Sequence, residues 1–187
     1  MPTRVTRATR RRAAAVAAVA AGLLLAGCGG ASEQETVDWT NGLCSSYATF
    51  REAAIVGPQP ASDLPAQTRN LSAYLGSTAA SLDKALADLD GLGASPVSGG
   101  DEAVTKFRDQ LGGYRSAFQQ ARAQVDALDL GSPTLQQDIE GAVAPVLQLQ
   151  DTNQDPLAGL DSAVTDAATK APACQNLSRL SSPTPGG

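Results

Sequence analysis

The side chains of Asp151, Asn153 and Asp155 have types and a spacing that can bind a cation. Their D-x-N-x-D pattern matches positions 1, 3 and 5 of a calcium-binding loop, where oxygen ligands converge on one ion. Position 6 is Pro156 rather than glycine, and position 12 is Ser162 rather than a bidentate glutamate. The plainer interpretation is a break between two helices in which Asp155 caps the second one. A calcium-binding module is therefore an alternative function, not the first choice.

Histidine, the commonest general base and metal ligand, does not occur in this sequence. Its absence excludes Ser-His-Asp and Cys-His catalytic sites and the HExxH zinc motif. The glycine-rich phosphate-binding patterns GxxxxGK[ST] and GxGxxG are also missing from the sequence. Catalysis by paired carboxylates stays open, but no Asp or Glu stands out from the spacing of a solvated surface. We predict a protein that is not an enzyme and needs no cofactor.

The first 28 residues have the pattern of a bacterial export signal. Residues 1–12 contain no acid and five arginines, namely Arg4, Arg7, Arg10, Arg11 and Arg12. Residues 13–26 carry no charge, and as a helix they would be roughly 21 Å long, too short for a hydrocarbon core of roughly 30 Å. The last four residues of this region, Leu25-Ala26-Gly27-Cys28, resemble the lipobox of bacterial lipoprotein precursors.

The lipoprotein resemblance implies how the chain is processed and where it resides. In that family the cysteine receives a diacylglyceryl thioether and the preceding peptide is removed. The resemblance therefore implies a signal peptide at 1–27, lipidation of Cys28 and a lipidated tether at 28–35. Two acyl chains suffice to hold a protein on the outer face of the cytoplasmic membrane. Export by the Sec route or by the twin-arginine route stays open.

Two cysteines remain once the lipoprotein resemblance assigns Cys28 to the anchor. An even pair in an oxidising compartment predicts a disulfide between Cys44 and Cys174. The chain-entropy model gives about 5 kcal/mol for a loop of this length. Two buried free thiols are the alternative, and the lack of histidine and of a CxxC motif disfavours a zinc site. The segment from Trp39 to Cys44, together with Cys174 late in the chain, resembles exported helical proteins of actinobacteria.

The charge of the processed chain limits its partners. Residues 28–187 contain nine basic and nineteen acidic side chains, a net charge of −10. Such a charge disfavours binding to nucleic acid and adsorption to anionic lipid. Contact with the membrane is therefore expected through the lipid on Cys28 alone.

Apolar side chains recur at steps of three and four residues in two early segments, which predicts two amphipathic helices. The first covers 36–56 and ends before Gly57 and Pro58; its stripe is Trp39, Leu43, Tyr47, Phe50 and Ala54. The second begins with Asp63 as a predicted N-cap and ends at Gly91. Its stripe is Leu64, Thr68, Leu71, Leu75, Thr78, Leu82, Leu86 and Leu89.

Two further helices are predicted in the second half of the chain. Helix three covers roughly 101–129, and its stripe is Val104, Phe107, Leu111, Tyr114, Phe118, Ala121, Val125 and Leu128. The pair Gly112-Gly113 in its middle predicts either a closely approaching neighbour or a bend. Helix four is predicted to begin at Ser132-Pro133 and to be kinked by Pro145 or broken near Asn153. Its last stripe is expected to end before Pro172.

Four amphipathic segments joined by short loops predict an all-α, antiparallel up-down-up-down four-helix bundle over 36–177 with one disulfide. Cys44 near the start of helix one and Cys174 beyond helix four would then lie together at the membrane-proximal end. A full reversal at Asn153 would instead give five helices. Residues 178–187 are rich in serine, proline and glycine and are predicted to be a disordered tail.

Four aromatic residues are candidates for ligand binding, namely Trp39, Tyr47, Tyr114 and Phe118. They could line a cleft between helices, or they could pack in the core with the tyrosine hydroxyls at its rim. Our first hypothesis is a non-catalytic, lipid-anchored module that binds an envelope protein. The alternative is a carrier of a small apolar ligand between helices three and four, near Gly112, Gly113 and Pro145.

Overall fold

A computed structural model describes residues 31–149, 157 and 160–181 of the chain. These residues form six α-helices and no strand, which confirms the all-α prediction. The helices are α1 (Glu33–Val56), α2 (Leu64–Asp90), α3 (Gly100–Asp126), α4 (Leu135–Leu147), α5 (Ser162–Lys170) and α6 (Pro172–Ser181). The predicted signal peptide, Cys28 and the three predicted calcium ligands lie outside the described residues.

Helix α1 begins three residues before its predicted start, inside the segment predicted to be a tether. The Ser32 side chain accepts a hydrogen bond from the Glu35 amide at 3.2 Å, and the Glu35 carboxylate accepts one from the Ser32 amide at 2.8 Å. This capping box satisfies two backbone donors that a helix terminus otherwise leaves unpaired. The described part of the predicted tether is therefore helical from Glu33 onward.

Helices α2 and α3 begin at the positions that their local chemistry favours. The Asp63 side chain accepts a hydrogen bond from the Ala66 amide at 2.7 Å, as its predicted N-cap role requires. Helix α3 begins at Gly100, where a Cβ atom would lie 1.9 Å from Ser95 Oγ and 3.2 Å from the Trp39 ring. Glycine is needed there because the helix terminus packs directly on those two side chains.

The second half of the chain contains more helices than predicted. Helix α4 begins at Leu135, not at Ser132, and ends two residues after Pro145. Helix α5 ends before Pro172, but that proline does not end the helical part of the chain, because α6 begins there. Ala171 has an extended backbone, as a residue before proline prefers, and proline is well suited to the first position of a helix. Six helices, not four or five, form the described part of the chain.

Helix α2 packs against both α1 and α3, α4 packs against α3, and α5 and α6 pack against α1. The predicted stripes of α1, α2 and α3 supply most of the core. Aromatic rings connect these helices across its centre: the Tyr47 and Phe107 rings are 5.2 Å apart, edge to face, and the Phe50 and Phe118 rings are 6.3 Å apart. Helix α6 ends at Ser181, four residues inside the predicted tail, and 182–187 lie outside the described residues.

The predicted disulfide between Cys44 and Cys174 is confirmed. Its two residues are separated by 130 positions and are buried, at 0% and 5% exposure. The expectation that the bridge lies at the end of the fold is wrong. Cys44 lies at the middle of α1 because that helix begins early, and Cys174 lies within α6 instead of beyond the last helix.

Candidate functional site

The four aromatic candidates all lie in the core, with exposures of 5% or 6%. Trp39 packs near the start of α3, and Tyr47 contacts the Phe107 ring. Tyr114 and Phe118 are one helical turn apart on α3 and also line a groove that is open to solvent. The structure therefore brings two of the four candidates to one surface site and leaves the other two inside.

This groove, here named the Arg51 groove, lies where α1, α2, α3 and α4 meet. The described residues that line it are Phe50, Arg51, Ala54, Ile55, Tyr74, Tyr114, Phe118, Val146 and Leu149. Eight of these nine side chains are apolar or aromatic, because the end of α1 and the end of α4 both turn apolar residues toward α3. The cavity has a volume of about 230 Å³.

The two phenol groups of the groove already have partners within the fold. The Tyr74 hydroxyl donates a hydrogen bond to the Ala54 carbonyl at 2.8 Å. Gln110 Nε2 donates one to the Tyr114 hydroxyl oxygen at 2.7 Å. Burial raises the pKa of Tyr74 above its ordinary value, so this phenol stays neutral at physiological pH. These contacts hold both rings in place as parts of the groove wall.

Of the described residues that line the groove, only Arg51 is charged. Its guanidinium carbon lies 6.0 Å from the centre of the Tyr47 ring, at the outer limit of a cation–π contact. Its Nε atom is buried and has no hydrogen-bond partner among the described residues. Within the same part of the chain, six of the other basic side chains form salt bridges, whereas Arg51 forms none. Arg51 therefore presents positive charge inside an apolar site.

The apolar surface extends beyond the groove. Ile55, Val56 and Leu147 are 55%, 67% and 53% exposed, the large apolar side chains that the described residues leave open to solvent. Ile55 lines the groove, Val56 follows it in α1, and Leu147 follows the groove residue Val146 in α4. An exposed apolar patch that borders a groove is typical of an interaction surface.

The paired glycines of α3 have no close neighbour among the described residues. A Cβ atom added to Gly112 or Gly113 would meet nothing within 4 Å, so a closely approaching neighbour does not explain these glycines. The Arg51 groove, whose described lining includes Tyr114 but neither glycine, is open to solvent and smaller than the 300–1,000 Å³ that is usual for pockets enclosing small molecules.

A second and larger cleft, of about 570 Å³, lies between the start of α1 and the junction of α5 with α6. Two of its charged groups pair with each other, since the Lys170 ammonium contacts the Glu33 carboxylate, and Asp38 accepts a hydrogen bond from Gln34 Nε2 at 2.8 Å. This contact lowers the pKa of Glu33 and raises the pKa of Lys170. On the same side, Asn41 Oδ1 accepts a hydrogen bond from the Ala173 amide at 2.9 Å and so caps α6. We interpret this cleft as part of the packing interface between α6 and α1.

The described residues contain no group of three or more Cys, Asp or Glu side chains placed to hold a metal ion. None of their helices has both the length and the apolar character that crossing a bilayer requires. Calcium binding by Asp151, Asn153 and Asp155 stays a prediction. No protein-family model, curated protein or solved structure matches the chain.

Sequence reasoning did not identify Arg51, Ile55, Val56 or Leu147 as site residues. One signal is present: two consecutive branched apolar residues stand at the end of α1, just before Gly57. Both are left uncovered because of where α4 lies, and the periodicity of α1 does not contain that information.

Proposed function

We propose that this protein is a non-catalytic helical module, anchored by lipid to the outer face of a bacterial cytoplasmic membrane, that binds another protein of the cell envelope. The observation that carries the binding role is the uncovered apolar surface formed by the Arg51 groove with Ile55, Val56 and Leu147. Aromatic side chains and arginine are the residue types that contribute most energy to protein interfaces.

The anchoring part of the proposal depends on the resemblance of Leu25-Ala26-Gly27-Cys28 to the lipobox. Helix α1 begins at Glu33, so only a few residues separate the lipidated cysteine from the folded domain. At most 3.6 Å per residue, this connection keeps the domain within roughly 20 Å of the bilayer. A disulfide between α1 and α6 suits an oxidising location outside the cytoplasm.

We further propose that α1 to α4 form the up-down-up-down bundle predicted from the sequence, with α5 and α6 added against α1. Each of the first three helices packs against the next one in the chain. Short connections between neighbouring helices favour the antiparallel arrangement. In this arrangement α6 covers one part of α1, and the groove lies at another part of the same helix.

The carrier of a small apolar ligand is the second candidate, favoured by the apolar lining of the Arg51 groove, to which Val146 next to Pro145 contributes. The open shape and the volume of about 230 Å³ give it less support than protein binding, because ligand carriers enclose most of the surface of the molecule they hold. Calcium binding at 151–155 is a third, more distant candidate, which titration of the purified protein with millimolar Ca²⁺ would test by calorimetry.

The anchor is tested by the intact mass of the native protein purified from membranes. We expect a polypeptide that begins at Cys28 and carries a diacylglyceryl group, and we expect Cys28→Ser to retain the leader and lose the lipid. A native chain that begins at Met1, or one with a free thiol at position 28, would contradict the proposal.

A further inference from the structure

We infer that the Arg51 groove binds an amphipathic segment of the partner protein, with apolar side chains in the groove and an Asp or Glu carboxylate against Arg51. This inference rests on the proposed role in protein binding and specifies the chemistry of the partner. It depends on the shape of the groove, on its rim and on the charge at its wall.

The shape of the groove suits a segment of a protein. The cavity holds about 230 Å³ and is open to solvent, and its apolar surface continues onto Ile55, Val56 and Leu147. An amphipathic helix places apolar side chains at steps of three and four residues, which can fill such a groove and cover its rim together. A small molecule confined to the cavity would leave that rim exposed.

The charge of the groove selects the partner. Among the described residues, no carboxylate lines the groove, although the chain after residue 27 has nineteen acidic and nine basic side chains. The neighbouring Glu52 accepts a hydrogen bond from Asn176 Nδ2 at 3.0 Å and is held toward α6. A carboxylate against Arg51 would gain charge-assisted hydrogen bonds, whereas a lysine or arginine there would meet a like charge.

The acidic surface of the domain works against an acidic partner at long range, but only weakly. At physiological salt, charges farther apart than about 8 Å are largely screened. The charge nearest to the bound segment, that of Arg51, therefore decides the interaction within the groove. We expect the ion pair between Arg51 and the partner carboxylate to set the orientation and specificity of binding, and not to speed association.

The test uses the full-length chain in its own host, with a photo-reactive phenylalanine analogue at Ile55. We expect an adduct with one protein, mapped to a segment that has apolar residues and a carboxylate. Arg51→Glu should lower the adduct yield by about tenfold or more, and Arg51→Gln by less. Exchanging the mapped carboxylate for lysine should restore the yield with Arg51→Glu. Arg179→Glu, the same charge change at an exposed position on α6, is the control that should leave the yield unchanged.

Several results would overturn the inference. An adduct with residues 150–159 of the same chain, with a second copy or with lipid would mean a different occupant. A partner adduct insensitive to both Arg51 substitutions would remove the role of the carboxylate. The same probe at exposed Lys84 on α2 distinguishes a failure of the groove proposal from a failure of the proposed protein-binding function. Protein adducts there but not at Ile55 would overturn the groove alone, and the absence of protein adducts from both positions would contradict protein binding itself.

Discussion

Helix α1 has one region that the rest of the chain covers and another that it leaves open. Around Cys44, helix α6 is fixed by the disulfide, by the Asn41 cap and by the contact between Lys170 and Glu33. At the end of the same helix, Ile55 and Val56 remain more than half exposed. The covered region combines covalent, polar and apolar contacts. The open region combines apolar side chains with Arg51, which forms no salt bridge with any described residue.

This difference predicts that the stability of the fold and the proposed binding of a partner depend on different residues. Buried side chains contribute to folding because they leave water when the chain folds. Exposed apolar side chains contribute nothing of that kind until a partner covers them. Substitutions in the two regions should therefore affect different measurements.

Truncation of the core that both regions share should have the largest effect on stability. Phe107 is 4% exposed and packs edge to face on Tyr47. We expect Phe107→Ala to lower the free energy of unfolding by about 3–5 kcal/mol, measured by urea denaturation. Ile55→Ala is the matched control and should change it by less than about 0.5 kcal/mol. Similar losses from both variants would erase the distinction between the regions.

Removal of the disulfide should weaken the covered region. We expect Cys44→Ala combined with Cys174→Ala to cost about 3 kcal/mol and to lower Tm by roughly 10 °C. The reason is that α6 then loses its covalent link to the middle of α1. The effect is measured by comparing the Tm of the original oxidised chain with that of the double variant. A fall in Tm of less than about 2 °C would mean that the remaining contacts suffice to hold α6.

Loss of the cap on α6 should have a smaller and more local effect. Asn41→Ala leaves the Ala173 amide without its acceptor, at a cost of about 1 kcal/mol. We expect amide hydrogen exchange in α6 to rise by roughly fivefold, with α2 and α3 unchanged. Asn41→Asp keeps an acceptor oxygen and should preserve the protection. An equal rise in all helices would indicate global unfolding instead of local opening.

The surface pair of Glu33 and Lys170 should have the smallest effect, with a characteristic dependence on pH. The folded pKa of Glu33 is lowered, so its contribution is present above the unfolded value of about 4.3 and is lost as pH falls through the folded value. The folded pKa of Lys170 is raised, so its contribution is present below about 10.4 and is lost as pH rises through the folded value.

Lys170→Met should therefore lower Tm slightly at pH 7. Near pH 2 it should leave Tm unchanged, because protonation of Glu33 removes the ion pair from the original protein as well. High salt should reduce the difference at pH 7, because both side chains are exposed. Thermal unfolding across this pH range measures the effect. A difference in Tm of the same size at both pH values would mean that the pair acts through packing and not through charge.

The first three helices and the disulfide could be predicted from the sequence because their signals are local or countable. The apolar stripes of α1, α2 and α3 follow the helical period, Asp63 is a recognisable cap, and two cysteines remain after the lipobox. The early start of α1 is not predicted, although Ser32 and Glu35 have the spacing of a capping box. Assigning these residues to the tether conceals that signal.

The last helix and the groove could not be derived in the same way. Pro172 marks the end of one helix and the start of the next, and the sequence does not decide between a stop and a restart. The groove depends on where α4 lies against α3, which is a tertiary property. The aromatic stripe of α3 predicts that Tyr114 and Phe118 are apolar contacts, but not that one edge of their cluster reaches the surface.

The yield of the partner adduct formed by the photo-reactive residue at Ile55, compared with and without Leu147→Asp, tests the central claim most directly. Leu147 is 53% exposed, so the substitution should leave Tm within about 2 °C of the original value. If the open region of α1 and α4 is the binding surface, a charge on its rim should lower the yield by about tenfold or more. An unchanged yield at unchanged Tm would contradict that account.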